Sequence, residues 1–306
     1  PTGTLFQTDH TQKVFSFLRD KDNHVVVQLD TTSNSAIAEE FGYAIDTNSE
    51  ETIGKTYRAL QLLGFETITN TDLGKDLQAM EMARDFVERY KESETLPLFT
   101  STCPASTKFL ELFKPETLEH LSTVKSPAVL QGSILKHNLL KQKPETVKIV
   151  TVGTCTAHKM EITRDELVTD ELPDVDASLT VRELGKMIKQ KGIDYKRLKP
   201  LELDNNFTAT RPPVRGGALT ATINAVSELL DHKPLEDITF KRVFGDIESS
   251  GSIEEATVLI GGNKLLIARV RGGVAFTEFF QRMSKKRYHI VELMMCPGGC
   301  VVGGGM

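Results

Sequence analysis

A short β-rich run followed by a helical stretch recurs along the whole 306-residue chain, and this alternation does most to limit the folds open to it. His24-Val-Val-Val-Gln-Leu-Asp30 is apolar with almost no interruption, the pattern of a strand covered on both faces rather than one washed by water. A helix is predicted over 35–41, stopped by Gly42, and a second over 51–63, stopped by Gly64. A strand at 65–69 precedes an amphipathic helix at 77–90, with Leu77, Met80, Ala83 and Val87 spaced for one face. A strand at 96–100 leads to a helix at 104–113, with Pro104 in its first turn. The same style continues with a strand at 147–152, a helix at 179–189, a strand at 265–270, a helix ending at Met283 and a strand at 288–293. The expectation is an α/β protein of two lobes, each a mainly parallel twisted sheet flanked by helices. Gln142-Lys-Pro-Glu145 reads as the linker, dividing the chain into 1–145 and 146–306.

Composition narrows the function classes. The net charge is -5, with 26% charged and 39% hydrophobic residues, ordinary values for a soluble protein. The basic stretches Ser284-Lys-Lys-Arg287 and 136–148 read as solvated faces, so no nucleic-acid partner is expected. No apolar run is long enough to cross a bilayer and no signal peptide is evident, which points to a cytoplasmic protein without membrane insertion. Pro1 and the closing Gly-Gly-Gly-Met306 leave both chain ends open.

There are four cysteines, too few for a disulfide scaffold in a chain this long. Each lies just past a predicted strand: Cys103 in Thr100-Ser-Thr-Cys-Pro-Ala105, Cys155 in Gly153-Thr-Cys-Thr-Ala157, and Cys296 and Cys300 around Pro297-Gly-Gly299. Ligands of open α/β sheets gather at the carboxyl ends of strands, whereas core-filling cysteines belong inside strands and helices. Four thiolates suit an iron–sulfur cluster or zinc, and a site without metal stays open too. Structural zinc usually draws on two local pairs. Only one local pair exists here, which favours a cluster shared between distant loops. Gly298 and Gly299 let the backbone come close to bulky sulfide, and their amides are placed to donate to cluster sulfur.

The same residues carry a resemblance to the H-cluster domain of [FeFe]-hydrogenases. Thr100-Ser-Thr-Cys-Pro-Ala105 is similar to that family's TSCCPxW motif, Cys155-Thr-Ala-His-Lys-Met-Glu161 to its PCxxKxxE motif, and Glu292 to Gly305 to its ExMxCxxGCxxGGG motif. The likeness extends through 36–42, 121–127 and 174–180. It implies that Cys103, Cys155, Cys296 and Cys300 ligate a [4Fe–4S] cubane in the cleft between the lobes. It also implies that Cys300 bridges to a two-iron subsite with CO, CN and a dithiolate bridge, a subsite absent from unmatured protein. Met294 is retained beside the cubane.

Several positions depart from the family. Thr102 replaces the proton-relay cysteine, and a threonine hydroxyl hardly ionises where a thiol titrates near about 8.5. His158 stands where a lysine holds a cyanide ligand, with Lys159 next to it. Gly153 replaces a methionine of the two-iron pocket, Asp30-Thr31 replaces Ala-Pro, and Ala128 replaces a glutamine. Of two proton-path glutamates, Met82 takes one place and Asp85 the other, while Ser122 is retained. The resemblance therefore implies a divergent hydrogenase-like protein acting on H2 and protons, either slow in turnover or sensory. Electrons would come from an external carrier or an accessory ferredoxin-like domain, since no cysteine precedes Cys103. The alternative is a [4Fe–4S]-binding module without the two-iron site, like the cytosolic iron–sulfur assembly factors, and a zinc-stabilised α/β protein is a third reading.

Overall fold

The computed structural model describes residues 7–44, 50–92, 95–201, 217–235, 237–246 and 251–306. In chain order its helices and strands are α1 (Thr11–Arg19), β1 (His24–Leu29), α2 (Ser33–Glu40), α3 (Glu50–Leu63), β2 (Thr67–Asn70), α4 (Asp72–Glu92), β3 (Leu98–Phe99), α5 (Pro104–Phe113), α6 (Pro127–Ile134), β4 (Val147–Gly153), α7 (His158–Glu161), β5 (Val168–Thr169), β6 (Leu172–Pro173), β7 (Ala177–Thr180), α8 (Val181–Gln190), α9 (Gly217–Asp231), β8 (Lys241–Asp246), β9 (Gly251–Ile260), β10 (Asn263–Arg271), α10 (Gly273–Met283) and β11 (Ile290–Met294). The chain is α/β as read from the sequence, with runs of consecutive strands along β5-β6-β7 and β8-β9-β10 where helix and strand do not alternate. Helix α4 begins a turn earlier than its apolar spacing predicts, because the Asn70 side-chain oxygen accepts from the Asp72 amide at 3.0 Å and caps it there.

These elements form two compact units. The first takes residues 1–74, 128–209 and 303–306, and the second 75–127 and 210–302. A single boundary near 145 does not describe them. Strand β1 pairs with β4 from His24↔Val147 to Leu29↔Val152, so residues on both sides of that boundary share one sheet. The apolar run at 24–29 needs a partner strand, and the matching run at 147–153 supplies it.

In the first unit the sheet order is β2-β1-β4-β7, and every pairing is parallel. The chain steps from β1 out to β2, then returns to the other side of β1 for β4 and β7. Winding thus reverses between β1 and β4, the place where open α/β sheets receive ligands. One face packs Val25, Val27, Leu29, Val150 and Val152 with Ile37, Leu60, Leu184 and Ile188. The other packs Val26, Val147 and Ile149 with Val129, Leu135 and Val175. Burial on both faces accounts for the near-unbroken apolar sequence, and each such side chain is worth roughly 1.5–3 kcal/mol.

In the second unit the order is β3-β11-β10-β9-β8. The half that carries the cysteines, β3-β11-β10, is parallel. It is extended by antiparallel β9 and β8, which the sequence reading did not mark. The direction changes because Gly261 and Gly262, at φ +58° and +73°, make a two-residue turn that closes a hairpin. Phe276 and Phe279 of α10 pack with Phe99, Val270 and Leu293, while Phe86 of α4 and Ile223 of α9 pack with Leu98, Ile267 and Ile290.

Candidate iron–sulfur site

Strands β3 and β11 run side by side, and the Thr100 amide donates to Val291 O at 3.0 Å. Their parallel pairing brings the loops after both strands to the same edge of the sheet. Cys103 follows β3 as the N-cap residue of α5, with Pro104 in the first turn where its missing N–H costs nothing. Cys296 follows β11, and Cys300 opens a short 3₁₀ turn, Cys300–Val302. Burial pushes the Cys296 thiol above its ordinary range, and the neighbouring Cys103 pushes it further. Two thiols in one low-dielectric pocket resist joint ionisation, and a bound cation is what makes both thiolates favourable. None of the four cysteines is in a disulfide.

Two of the three residues between Cys296 and Cys300 are glycines, each with its own reason to be one. Gly299 sits at φ +76°, and a Cβ there would lie 3.5 Å from Met294 Sδ. A Cβ at Gly298 would lie 2.8 and 3.1 Å from the Val302 methyls. The Gly299 amide closes the turn on Cys296 O at 3.1 Å. Soft sulfur donors around a bare backbone cradle suit an iron–sulfur group. Among the described residues, no group of three or more His, Cys, Asp or Glu side chains is gathered to hold one metal ion.

Two polar networks flank this region, both on α4. Thr102 Oγ1 donates to Gln78 Oε1 at 3.1 Å, and Gln78 Nε2 donates to Lys125 O at 3.0 Å. One turn and two turns further along the same helix face stand Met82, fully buried, and Asp85. Ser122 Oγ donates to Asp85 Oδ2 at 2.7 Å. The other Asp85 oxygen accepts from Arg89 Nε at 2.7 Å, and Arg89 also donates to Glu119 O and Leu121 O. Thr102, Ser122 and Asp85 are thus drawn into hydrogen bonds, but the two networks are separate and a methionine stands between them. Gln78 escaped that reading. Its spacing of four and seven residues from Met82 and Asp85 was the available signal.

In the first unit Cys155 follows β4, at the edge where winding reverses. Asp30 follows β1 there, its amide donating to Val152 O at 2.9 Å. His158 Nδ1 lies 2.6 Å from Glu161 Oε2. Burial disfavours the charged ring, yet the Glu161 carboxylate, by charge and hydrogen bond, and Asp30 outweigh it, so the imidazole pKa is raised. A Cβ at Gly153 would lie 3.9 Å from His158 Cδ2, so the ring fills room that a larger residue would claim. Lys159 is held within its own unit. Its ammonium is spent on Glu183, at 2.7 and 3.0 Å, and on Ser178 O, at 2.7 Å. Glu183 is fixed in turn by the capping box with Thr180 at the start of α8. The Gly303–Met306 tail also belongs to this unit. The Gly305 amide donates to Thr154 O at 2.8 Å, and a Cβ at Gly305 would stand 2.9 Å from that oxygen and from Thr180 Cγ2.

Residues 23–304 match the family model for the iron only hydrogenase large subunit, C-terminal domain. The chain belongs to the iron-only hydrogenase family. Iron hydrogenase 1 of Clostridium pasteurianum is 34% identical over 100% of this chain and 54% of its own length. Cytosolic iron-sulfur assembly component 3 of Rattus norvegicus is 27% identical over 92% of this chain and 62% of its own. A solved structure of a variant of the [FeFe]-hydrogenase HydA1 of Chlamydomonas reinhardtii superposes with a TM-score of 0.87 at 26% identity, covering 98% of this chain and 85% of that one. The chain thus spans little more than half the length of the curated relatives it matches. Among the described residues, no helix of this hydrogenase-family domain is long and apolar enough to cross a membrane.

Proposed function

We propose that this domain holds an H-cluster and either turns over H2 slowly or senses it. Cys103, Cys296 and Cys300, with Cys155, ligate a [4Fe–4S] cubane, and Cys300 bridges to the two-iron unit with its CO, CN and dithiolate ligands. The observation that carries this reading is the placement of Cys103 and Cys296 just past the paired parallel strands β3 and β11, with a glycine turn leading on to Cys300. When bound, the two-iron unit supplies the site where H2 is split and protons are reduced. The chain's own residues limit how protons reach that site through the second unit. Thr102 gives its hydroxyl proton to a carboxamide that does not titrate. Asp85 is neutralised by Arg89, and buried Met82 offers no proton carrier between them. Efficient general acid–base catalysis needs a titratable group within hydrogen-bond reach, so slow chemistry suits this second unit. Electrons come from an external carrier or an accessory ferredoxin-like domain. Few thiols without disulfides suit a reducing cytoplasm.

Reconstitution with iron and sulfide, then loading with the synthetic two-iron cofactor, tests this. Iron and sulfide should bind stoichiometrically and carbonyl and cyanide infrared bands should appear. Cys296→Ala should remove both. Cluster without those bands would favour a [4Fe–4S] module, a reading supported by the 27% identity to the rat assembly component. H2 turnover as fast as that of the Clostridium pasteurianum enzyme would remove the slow or sensory reading.

A further inference from the structure

Cys155 is the single cysteine of the first unit, so nothing like the Cys296–Cys300 turn helps to hold it. Its loop is gripped instead from the first turn of α8. Thr180 caps that turn, and Glu183 closes the capping box on the Thr180 amide at 2.8 Å. Arg182 stands between them in the chain and donates to Gly304 O. We propose that this turn is a clamp on the Cys155 loop and that Arg182 is its positioning residue, acting through the Gly303–Met306 segment. Its bearing on a cofactor rests on the reading of Cys155 as a cluster ligand.

The clamp meets the loop on both sides of the cysteine. On the residue before it, Thr154 O accepts from the Gly305 amide at 2.8 Å. Gly305 is wedged there, since a Cβ would lie 2.9 Å both from that oxygen and from Thr180 Cγ2. On the residue after it, Thr156 Oγ1 lies 3.7 Å from where a Cβ at Gly304 would stand. Arg182 takes the carbonyl of the peptide that joins these two glycines. Four residues past the cysteine, Lys159 is tied to Glu183 at 2.7 and 3.0 Å and to Ser178 O at 2.7 Å. Thr180 also pairs with Gly153 where β7 and β4 end, so clamp and loop stand on one piece of sheet. Groups that hold a ligand's neighbours orient the ligand itself. Burial separates the roles. Lys159 and Glu183 are buried and carry the stability of the unit. Arg182 is exposed and borders an open cleft with Thr156, Lys159 and Gly304, so its removal leaves no cavity in the core. Gly303 follows Cys300 by three residues, so the same contact fastens the chain that leaves a second ligand.

Alkylation of the metal-free protein, followed thiol by thiol with mass spectrometry, reads the clamp without any cofactor. Arg182→Ala should speed modification of Cys155 about fivefold, the effect of losing one charge-assisted hydrogen bond from a loop that opens locally. Arg182→Lys keeps a donor and should restore most of the protection. Gly305→Ala should match Arg182→Ala, and the double variant should add little to either. Cys103 and Cys296, in the second unit, should keep their native rates, and the urea midpoint should hold. An unchanged Cys155 rate in Arg182→Ala, or a rise shared equally by Cys103 and Cys296, overturns the clamp. After reconstitution with iron and sulfide, Arg182→Ala should lose iron to a chelator about fivefold faster than the native protein, with recovery in Arg182→Lys. Equal rates of loss overturn its bearing on the cluster. Failure of the native protein to bind iron overturns the ligand reading, while the thiol rates still decide the clamp.

Discussion

The two units use their strand ends differently. The second contributes Cys103, Cys296 and Cys300, held by a parallel half-sheet and a glycine turn, and its polar side chains close on one another. The first contributes a single cysteine, and around it stand charged groups: Asp30, His158 with Glu161, and Lys159 with Glu183. In the proposed reading, ligand chemistry in the second unit depends on sulfur and on backbone shape, through the φ of +76° at Gly299 and the Val302 methyls that crowd a Cβ at Gly298. Proton chemistry depends on titratable groups, which in the second unit are neutralised or replaced and in the first are gathered.

That contrast can be broken by experiment, beginning with the strongest effect. Glu183→Ala would leave the Lys159 ammonium buried without its counter-charge, at a cost of about 3–5 kcal/mol. Urea unfolding should show the loss, and a change below about 1 kcal/mol would mean that the pair is not buried in solution. Gln78→Leu in the second unit leaves the Thr102 hydroxyl without its acceptor and should cost about 1–3 kcal/mol. If stability is unchanged but iron binding falls, Gln78 serves the cluster rather than the packing of its unit. The smallest effect is a pH slope. The folded His158 pKa lies above its unfolded value of about 6.5, so its contribution to stability is complete below that value and is lost as pH rises through the folded one. Unfolding free energies measured from about pH 5 to about pH 9 should show that decline in the native protein. A matched His158→Gln series should lack it.

Much of this was legible before any coordinates. The apolar run at 24–29 and the strand-end positions of all four cysteines follow from periodicity alone, and helix α5 begins and ends where Pro104 and Phe113 suggested. Strand β9 was missed because Glu254 and Glu255 break its apolar alternation, and β8 because Lys241, Arg242 and Asp246 leave it mostly exposed, although Gly261-Gly262 was a hairpin signal. The single boundary at 145 failed because linker composition says nothing about which distant strands pair. Asp30 and His158 could be flagged as changed residues, but their shared influence depends on β1 lying beside β4, a fact of topology. Lys159 looked available for the same reason: its partner, Glu183, is 24 residues away.

The order in which residues enter the second sheet has a consequence for biogenesis. Strand β3 is two residues long, and the strand it pairs with, β11, spans Ile290–Met294. While the chain is being synthesised, Cys103 leaves the ribosome long before the strand that will set its neighbour exists. Contacts so distant in sequence form late and slowly. A group held jointly by Cys103 and Cys296 would thus have its site completed only after β11 has been made.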